Sequence, residues 1–410
     1  MSAELEIETS AKHPLRKAAD DYWSRISSGD IGALPAVLGL VVLCAVFSVM
    51  QSAFLTPGNF ANLLTQAAAV IVIAMGLVFV LLLGEIDLSA GYASGVCGAV
   101  LVILVTNHSV AWWIAFPISI AVGIALGLFI GGLVAFLGIP SFVVTLATFL
   151  AFQGLLLLLA GEGGTIRMED PTILSVENSN MSPSLSWVFY IACSALYILS
   201  GLRKMYLRQK AGLASELRQL WLFKTIALLG ISGVAVFALN LERSNNPQLV
   251  SLKGIPYVVP VSLLLLVIGT FILNRTAFGR HLYAVGGNAE AARRSGINVK
   301  WVRISAFVIC SGLSAVAGLI FASRQNSVSP TTGGSSTLLY AVGAAVIGGT
   351  SLFGGKGKMR DAILGGLVVA VIDNGMGLLG YAAGIKYIVT GMVLLVSASV
   401  DAISRKGGGS

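Results

Sequence analysis

Two carboxylates lie in the segment GEIDLSAG, Gly84–Gly91, within a stretch that otherwise carries no charge. Glu85 and Asp87 are the only Asp, Glu, Lys or Arg residues between Ile31 and Gly161. Ionisable groups in such apolar surroundings commonly carry protons or bind polar ligands. At the start of a helix, carboxylates instead accept hydrogen bonds from free N–H groups. The glycines permit a tight turn, so the capping role is favoured, while the turn stays a candidate gate.

The composition indicates the environment of this turn. Of 410 residues, 56% are hydrophobic and 11% are charged, and the mean hydropathy is +0.89. A soluble domain carries about 25% charged residues, so the chain is expected to lie in a lipid bilayer. The net charge of +8 does not indicate nucleic acid binding, because the basic residues lie in short segments between apolar runs. The four cysteines and three histidines show no spacing typical of a metal or catalytic centre.

Apolar runs predict an all-α, polytopic integral membrane protein with about ten transmembrane helices. Several runs are shorter than the roughly 20 residues of a full span, so half-helices or re-entrant segments are expected. Asn59–Gln66 is interpreted as a polar lead-in to the second run. The runs are Leu34–Phe54, Ala67–Leu83, Ala90–Val105, Ala111–Leu137, Phe142–Ala160, Trp187–Gly201, Thr225–Asn240, Ile255–Leu273, Ile304–Ser323, Leu339–Gly349, Ala362–Gly380 and Tyr387–Val400.

The basic residues predict which side each connecting segment faces. Segments 203–224 and 274–303 each hold six basic residues and one acid, so both are expected in the cytosol. Segment 161–186 holds one basic residue and four acids and is expected on the outer side of the membrane. The predicted organisation is a transmembrane domain over 31–403, flanked by cytosolic tails over 1–30 and 404–410.

A weak internal duplication is visible along the chain. LLLGEIDLSAG at Leu81–Gly91 and AVIGGTSLFGG at Ala345–Gly355 share an apolar run, a glycine, a Leu/Ser pair and a further glycine. GIPSFVVT at Gly138–Thr145 also resembles GIKYIVT at Gly384–Thr390. Transporters are commonly built from duplicated halves with the pathway near their interface. Short matches also arise by chance in a low-complexity chain, so both interpretations stay open.

The segment Asn274–Arg303 has the most specific local pattern. A Gly-Gly pair at 286–287 breaks the chain, and Asn288 is suited to cap a short helix that reaches Ser295. Glu290 lies in the first turn, two arginines lie in the last, and Gly296 follows as a C-cap. Such a capped, basic helix outside the membrane is suited to docking a partner. The alternative is a solvated connector, although long ordered loops are usually functional.

Several motifs together resemble one family. Glu290-Ala291-Ala292, with Gly296 after three further residues, matches the EAA-x3-G core of the coupling loop in ABC importer permeases. With GEIDLSAG, NRTAFGRHLYAVGGNAEAARRSGI and VIGGTSLFGGKG in this order, nearly the whole chain resembles the permease subunits of bacterial monosaccharide importers of the ribose/xylose/galactose type. The usual Ile-x-Leu-Pro ending is missing, as in that sugar branch. The basic segment 203–224 and DNGM at Asp373–Met376 point to the D-xylose members.

This resemblance implies a permease homodimer in the bacterial inner membrane, with an ATP-binding cassette subunit below, a periplasmic sugar-binding protein above, a monosaccharide substrate and no cofactor. The coupling residues that it implies are Gly287, Asn288, Glu290, Ala291, Ala292, Arg293 and Gly296. The candidate gate or path residues are Glu85, Asp87, Ser89, Asp373 and Asn374. The two alanines would offer a small surface to a groove, and Arg293 and Arg294 would meet acids of the partner or anionic lipid. Asp373 and Asn374 either line the pathway or join helices.

Two other functions are compatible with parts of this sequence. A proton-coupled secondary sugar transporter would use Glu85, Asp87 or Asp373 as proton carriers. A membrane-embedded enzyme would need a nucleophile with its base, or paired histidines and acids, and the scattered histidines argue against it. GGTSLFGGKGK also fails as a phosphate-binding loop, because Thr350 replaces its first glycine and Gly357 its Ser or Thr. ATP hydrolysis is therefore expected in a separate subunit, and no catalytic or metal-binding residue is assigned.

Overall fold

The computed structural model describes residues 34–161, 164–212, 218–244 and 246–407. The predicted N-terminal tail and the last three residues of the predicted C-terminal tail lie outside these ranges. The helices are α1 Leu34–Met50, α2 Pro57–Leu81, α3 Ala90–Val102, α4 Trp112–Phe136, α5 Ser141–Ala160, α6 Pro171–Asn178, α7 Pro183–Lys210, α8 Arg218–Asn240, α9 Val258–Arg275, α10 Ala277–Gly287, α11 Ala289–Arg294, α12 Val299–Gln325, α13 Ser335–Ile347, α14 Met359–Leu378 and α15 Ala383–Gly407. Two short strands, β1 Ile166–Arg167 and β2 Ser327–Val328, pair antiparallel.

The predicted all-α, polytopic class is confirmed. Nine helices within the described ranges are long and apolar enough to cross a membrane. Three shorter apolar stretches accompany them, at Leu34–Met50, Ser335–Ile347 and Ala383–Ser399. The run predicted at Leu339–Gly349 is thus a helix of 13 residues, which is too short for a full span.

Helix boundaries differ from the apolar runs where capping residues lie outside them. The predicted lead-in Asn59–Gln66 is part of α2, because Thr56 caps the helix through Asn59 N and Pro57 occupies its first turn. Ser182 and Pro183 start α7 in the same way. The segment 203–224 is helical at both ends, since α7 continues to Lys210 and α8 begins at Arg218.

The chain forms two compact units, of which the smaller is built on residues 181–255. In it, Tyr190 Oη donates to Leu229 O at 2.8 Å and joins α7 to α8. The loop after α8 is organised by Glu242, whose carboxylate accepts hydrogen bonds from three backbone N–H groups and from the Ser251 hydroxyl. The hydrogen bond from Leu252 N makes the largest contribution to lowering the pKa of Glu242 to about 2.

The larger unit, residues 34–180 and 256–401, is centred on α12. Glycines bring three helices into backbone contact with it. A methyl group placed on Gly127 of α4 would lie 2.6 Å from Phe307 O, and one on Gly98 of α3 would lie 3.0 Å from Gly318 O. On α2, a methyl group on Gly76 would lie 3.0 Å from Cys310 O. Helices in lipid associate through such close packing, because burying apolar surface gives no advantage there.

The α4–α12 contact is a regular stripe. Gly123, Gly127 and Gly131 follow one another at intervals of four residues, so they lie on one face of α4. Methyl groups on Gly123 and Gly131 would lie 2.6 Å from Ser311 O and 2.8 Å from Ile304 Cα. The stripe therefore fixes both the position and the register of α4 on α12.

The two ends of the larger unit differ in charge. The turn 82–89, the segment 276–298 and the turn 348–358 meet at one end, called here the basic end. Its basic residues outnumber its acids, and they are Arg275, Arg280, Arg293, Arg294, Lys300, Arg303, Lys356, Lys358 and Arg360. The opposite end carries α6 and the paired strands, with Glu169, Asp170 and Glu177.

We expect Gly127→Ala to lower the thermal unfolding temperature of the detergent-solubilised protein. The added methyl would overlap the α12 backbone, and overpacking of this kind costs about 1–3 kcal/mol. Gly132→Ala is the matched control, because a methyl group there meets nothing within 4 Å. Equal unfolding temperatures for the two variants would contradict the proposed role of the glycine stripe.

Candidate functional site

The turns that end the two similar sequence segments lie in contact at the basic end. Gly355 N donates to Leu82 O at 2.8 Å, so a backbone hydrogen bond joins them. Gly84 has a φ of +73° and Gly354 a φ of +84°, a region that side chains rarely adopt. A methyl group on Gly84 would lie 3.2 Å from Phe353 O. The segments LLLGEIDLSAG and AVIGGTSLFGG thus form one paired structure.

Helix α10 is seated directly on this pair of turns. A methyl group on Gly286 would lie 1.8 Å from Leu82 O and 2.9 Å from Gly355 N. Gly286 therefore touches both turns with its backbone. Gly286 and Gly287 are the last residues of α10, so the predicted break lies directly after this pair, where Asn288 begins the next helix. The glycine at position 286 is needed for close approach.

Two side-chain contacts also hold the paired turns, one from α10 and one from α12. Tyr283 Oη on α10 donates to Gly357 O, at 2.7 Å. Arg303, near the start of α12, places its Nε 3.2 Å from Glu85 Oε1. That contact is an ion pair without hydrogen-bond alignment, and both side chains are largely buried. The first candidate carboxylate is thus held by a cation from the central helix.

Asp87 has the capping geometry that the sequence favours. Its Oδ1 accepts hydrogen bonds from Ser89 N at 2.9 Å and from Ser89 Oγ at 2.6 Å, at the entry to α3. Asp87 and Ser89 are completely buried. Asp87 therefore orders the entry to α3, while the ion pair of Glu85 with Arg303 ties the turn to α12.

The short helix α11 follows α10 directly and is largely exposed. Asn288 Oδ1 accepts from Ala291 N at 2.9 Å, which confirms the predicted cap, and Gly296 follows with a φ of +83°. Glu290 is exposed and pairs with Arg293 at 2.9 Å and with Arg294 at 3.1 Å. The hydrogen bond from Arg293, followed by that from Arg294, lowers the pKa of Glu290.

The two alanines of this helix face different ways. Ala291 is exposed, whereas Ala292 is 5% exposed and packs into the hydrophobic core. The expectation that both alanines form an outer surface is therefore wrong for Ala292, because the opposite face of a short helix must pack on the protein that carries it. The exposed surface of α11 consists of Glu290, Ala291 and the two arginines.

Asp373 and Asn374 lie far from these turns, near the other end of α14. Gln66 of α2 donates to Asp373, and Lys386 of α15 lies 3.5 Å from the same carboxylate. Asn59 and Asn374 exchange two side-chain hydrogen bonds of 2.9 Å. The five candidate gate residues therefore form two groups at opposite ends of α2 and are not brought together in one site.

Sequence reasoning missed the partners of both groups. Tyr283 lies within the motif NRTAFGRHLYAVGGNAEAARRSGI and Arg303 follows it, but the motif assigns neither residue a contact. Asn59 and Gln66 belong to the segment interpreted as a polar lead-in to the second apolar run. The sequence shows these four side chains as polar residues at the borders of apolar runs. It does not show which residues they contact, because the partners lie far apart in the chain.

This arrangement can transmit displacement. Three backbone segments in van der Waals contact leave no space for α10 to move without moving both turns. The turn 82–89 leads into α2 and α3, and the turn 348–358 leads into α13 and α14. A force on the exposed α11 would thus reach four apolar helices.

The nine helices of the described residues that are long and apolar enough to cross a membrane place the chain among multi-pass membrane proteins. Residues 59–398 match the family model described as branched-chain amino acid transport system / permease component. The chain belongs to this permease family. No solved structure matches it.

Several curated relatives align over most of their length. The xylose transport system permease protein XylH of Haemophilus influenzae is 33% identical over 394 residues, which cover 93% of this chain and 99% of the relative. XylH of Escherichia coli K12 is 34% identical over 380 residues, covering 89% and 92%. The ribose import permease protein RbsC of Escherichia coli K12 is 28% identical over 366 residues, covering 89% and 92%.

We expect Glu85→Gln and Arg303→Gln each to destabilise the protein, and the double variant to lose less than the sum of the two. Each single change leaves the other charge of a largely buried ion pair without its partner, and removing one partner of such a pair costs more than removing both. A double-mutant cycle of unfolding free energies in detergent measures the coupling. The exposed pair Glu290–Arg293 is the control and should show a coupling below about 1 kcal/mol. Additive losses at Glu85 and Arg303 would exclude the proposed link.

Proposed function

We propose that the chain is the membrane-spanning subunit of an ATP-driven ABC importer, which moves a monosaccharide, D-xylose or a closely related sugar, into the cytoplasm. XylH proteins are 33–34% identical to the chain and RbsC proteins 27–28%. The higher identity to the xylose permeases supports a pentose substrate and favours xylose over ribose.

The observation that carries this proposal is the packing of α10 against the two paired turns, with α11 exposed directly after it. Gly286 contacts both turns, while α11 exposes Glu290, Ala291, Arg293 and Arg294. A passive channel has no use for a protruding helix whose displacement must move four apolar helices. A partner that changes shape on binding ATP would push on such a helix. In this proposal, ATP is hydrolysed in a separate subunit that docks on α11.

The proposal also includes the other parts of the assembly, on the grounds that the chain belongs to a permease family and resembles sugar permeases. Two copies of the chain form the pathway, and a periplasmic binding protein delivers the sugar at the opposite end, near α6. The basic end faces the cytosol, because segments rich in Lys and Arg are retained there. By their own basic residues, segments 203–224 and 274–303 are each assigned to the cytoplasm of a bacterium, together with both chain termini, and the acidic segment 161–186 is assigned to the periplasm.

The proposed mechanism assigns roles to residues of this chain. ATP-driven closure of the partner moves α11, and the backbone contacts of Gly286 pass the motion to the paired turns. The Glu85–Arg303 ion pair carries it to α12. The transporter then alternates between states open to either side of the membrane. At the opposite end, α2 is held by polar contacts to Asp373 and Asn374, which motion of α2 would have to break.

Proteoliposomes that contain the chain, its ATP-binding subunit and its binding protein are expected to take up labelled D-xylose only when ATP is supplied to the cytosolic face. Gly286→Ala should reduce this uptake about tenfold or more, because a methyl group in the seat separates α10 from the turns and overpacking costs about 1–3 kcal/mol. Gly391→Ala is the control, since a methyl group there meets nothing within 4 Å.

Uptake by the chain without the ATP-binding subunit, abolished by a protonophore, would instead show a proton-coupled transporter. Gly286→Ala protein must be inserted and present at normal levels for the comparison to count. Full sugar uptake by the inserted Gly286→Ala variant would show that the contact of Gly286 with the paired turns does not couple the ATP-binding partner to the membrane helices.

Labelling from outside the cell is expected to give the orientation. In a chain whose Cys44 and Cys193 are replaced by Ser, Thr172→Cys at the opposite end should react with a membrane-impermeant maleimide added to spheroplasts. Ser295→Cys at the basic end should react only after the membrane is permeabilised, because basic segments remain in the cytosol. Both positions are exposed, so access is set by the membrane. The reverse pattern would contradict the proposed orientation.

A further inference from the structure

A buried carboxyl group at the opposite end has no hydrogen-bond partner. The side chain of Glu177, on α6, is 1% exposed. Neither of its oxygens accepts a hydrogen bond from any residue that the structure describes. Its backbone, in contrast, is fixed, because Glu177 N donates to Ser323 Oγ of α12 at 3.0 Å. Leaving a buried carboxylate uncompensated is costly, so this position demands an explanation.

The positively charged group nearest to Glu177 is the guanidinium of Arg324, which is hydrogen-bonded to α2 instead. Arg324 Nη1, in the last turn of α12, lies 4.0 Å from Glu177 Oε2. The same nitrogen donates to Thr65 Oγ1 of α2 at 2.8 Å, and Nη2 donates to Asn62 Oδ1 at 3.4 Å. The guanidinium therefore joins α12 to α2. A direct charge-assisted bond to the carboxylate would require an approach of about 1 Å, to roughly 2.7–2.9 Å.

We propose that Arg324 is a latch that alternates between α2 and Glu177, and that the end of α2 is released when Glu177 loses its proton. While Glu177 is protonated, Arg324 keeps its bonds to Thr65 and Asn62. Once Glu177 is ionised, its carboxylate draws the guanidinium away from α2. The proton is exchanged with water, which reaches the partly exposed arginine.

The charged surroundings place this exchange near neutral pH. Burial raises the pKa of Glu177 to about 8, and Arg324 acts in the opposite direction. Arg324 is the charged group facing the carboxyl from α12, while α2 contributes the neutral side chains of Thr65 and Asn62. The α2-bound arrangement is thus favoured below about pH 8, and the arrangement closed on Glu177 above it.

The construction of α2 explains why a single latch matters. From Ala67 to Leu82 this part of the chain is almost entirely buried among apolar side chains. Towards its other end it is held by polar contacts, through Asn59 and Gln66 to α14 and through Asn62 and Thr65 to Arg324. Polar contacts can be exchanged without opening a cavity in the core. This end of α2 is therefore the part that can move, whatever solute the permease carries.

Distances between spin labels on α2 and α6 test the latch in the full-length protein. Labels at Gly58→Cys and Thr172→Cys, with Cys44 and Cys193 replaced by Ser, lie on exposed positions of the two elements. We expect two distance populations whose ratio changes by up to about tenfold per pH unit between pH 6 and 9, since one proton is exchanged. Glu177→Gln should hold the low-pH population throughout, because it cannot ionise. The matched control Glu169→Gln removes an exposed carboxylate of the same segment and should leave the pH dependence unchanged.

Thr65→Val provides a second test if Glu177→Gln fails to fold. Thr65→Val removes the shorter of the two hydrogen bonds from Arg324 to α2, so the guanidinium is held there less strongly and the midpoint of the change between the two distance populations should move to lower pH. A distance distribution that does not change between pH 6 and 9, or an unshifted midpoint in Thr65→Val, would overturn the latch. These distance measurements involve no sugar and no ATP-binding subunit. A result against the latch would therefore leave the proposed transport function unaffected, and loss of sugar uptake would not count against the latch.

Discussion

The structure depends on the close backbone contact between α12 and the helices around it. In a bilayer, apolar side chains gain nothing by leaving lipid for protein, so helices must be held by van der Waals contact and interhelical hydrogen bonds. Gly123, Gly127 and Gly131 let α4 approach α12 until backbone atoms touch. Gly98 of α3 does the same. The abundance of glycine in this chain is thus the means by which the larger unit coheres.

The central helix also connects the two ends of the larger unit. At 27 residues, α12 is about 40 Å long. Near its start, Arg303 meets the Glu85 turn, and in its last turn Arg324 meets α2 and α6. A packed helix of this length moves as a rigid rod, because its close contacts do not deform continuously. Events on the exposed α11 and on the segment that carries α6 therefore act on the same element.

Polar residues in this membrane protein have two uses that their sequence context does not separate. Asp87 accepts a hydrogen bond from a backbone N–H group at the start of α3, and the side chains of Asn59 and Asn374 hydrogen-bond to each other. These polar groups stabilise the contacts between the segments that carry them. Glu177 receives no hydrogen bond from the described residues on either carboxylate oxygen, although the sequence shows it only as one acid of the acidic segment 161–186. A candidate for movement is better recognised by a missing partner than by its charge.

The sequence by itself determined the membrane environment, the all-α class, the approximate position of each apolar helix and the Asn288-capped helix, because hydropathy and capping act over neighbouring residues. It also marked GEIDLSAG and its later counterpart. Only the tertiary structure decided that these turns touch, that Gly286 is wedged between them, that Ala292 faces inward, and that Asp373 lies far from Asp87. Each of these depends on which distant segments meet, and in lipid that choice is made by backbone fit and paired polar groups, which leave no periodic signal along the chain.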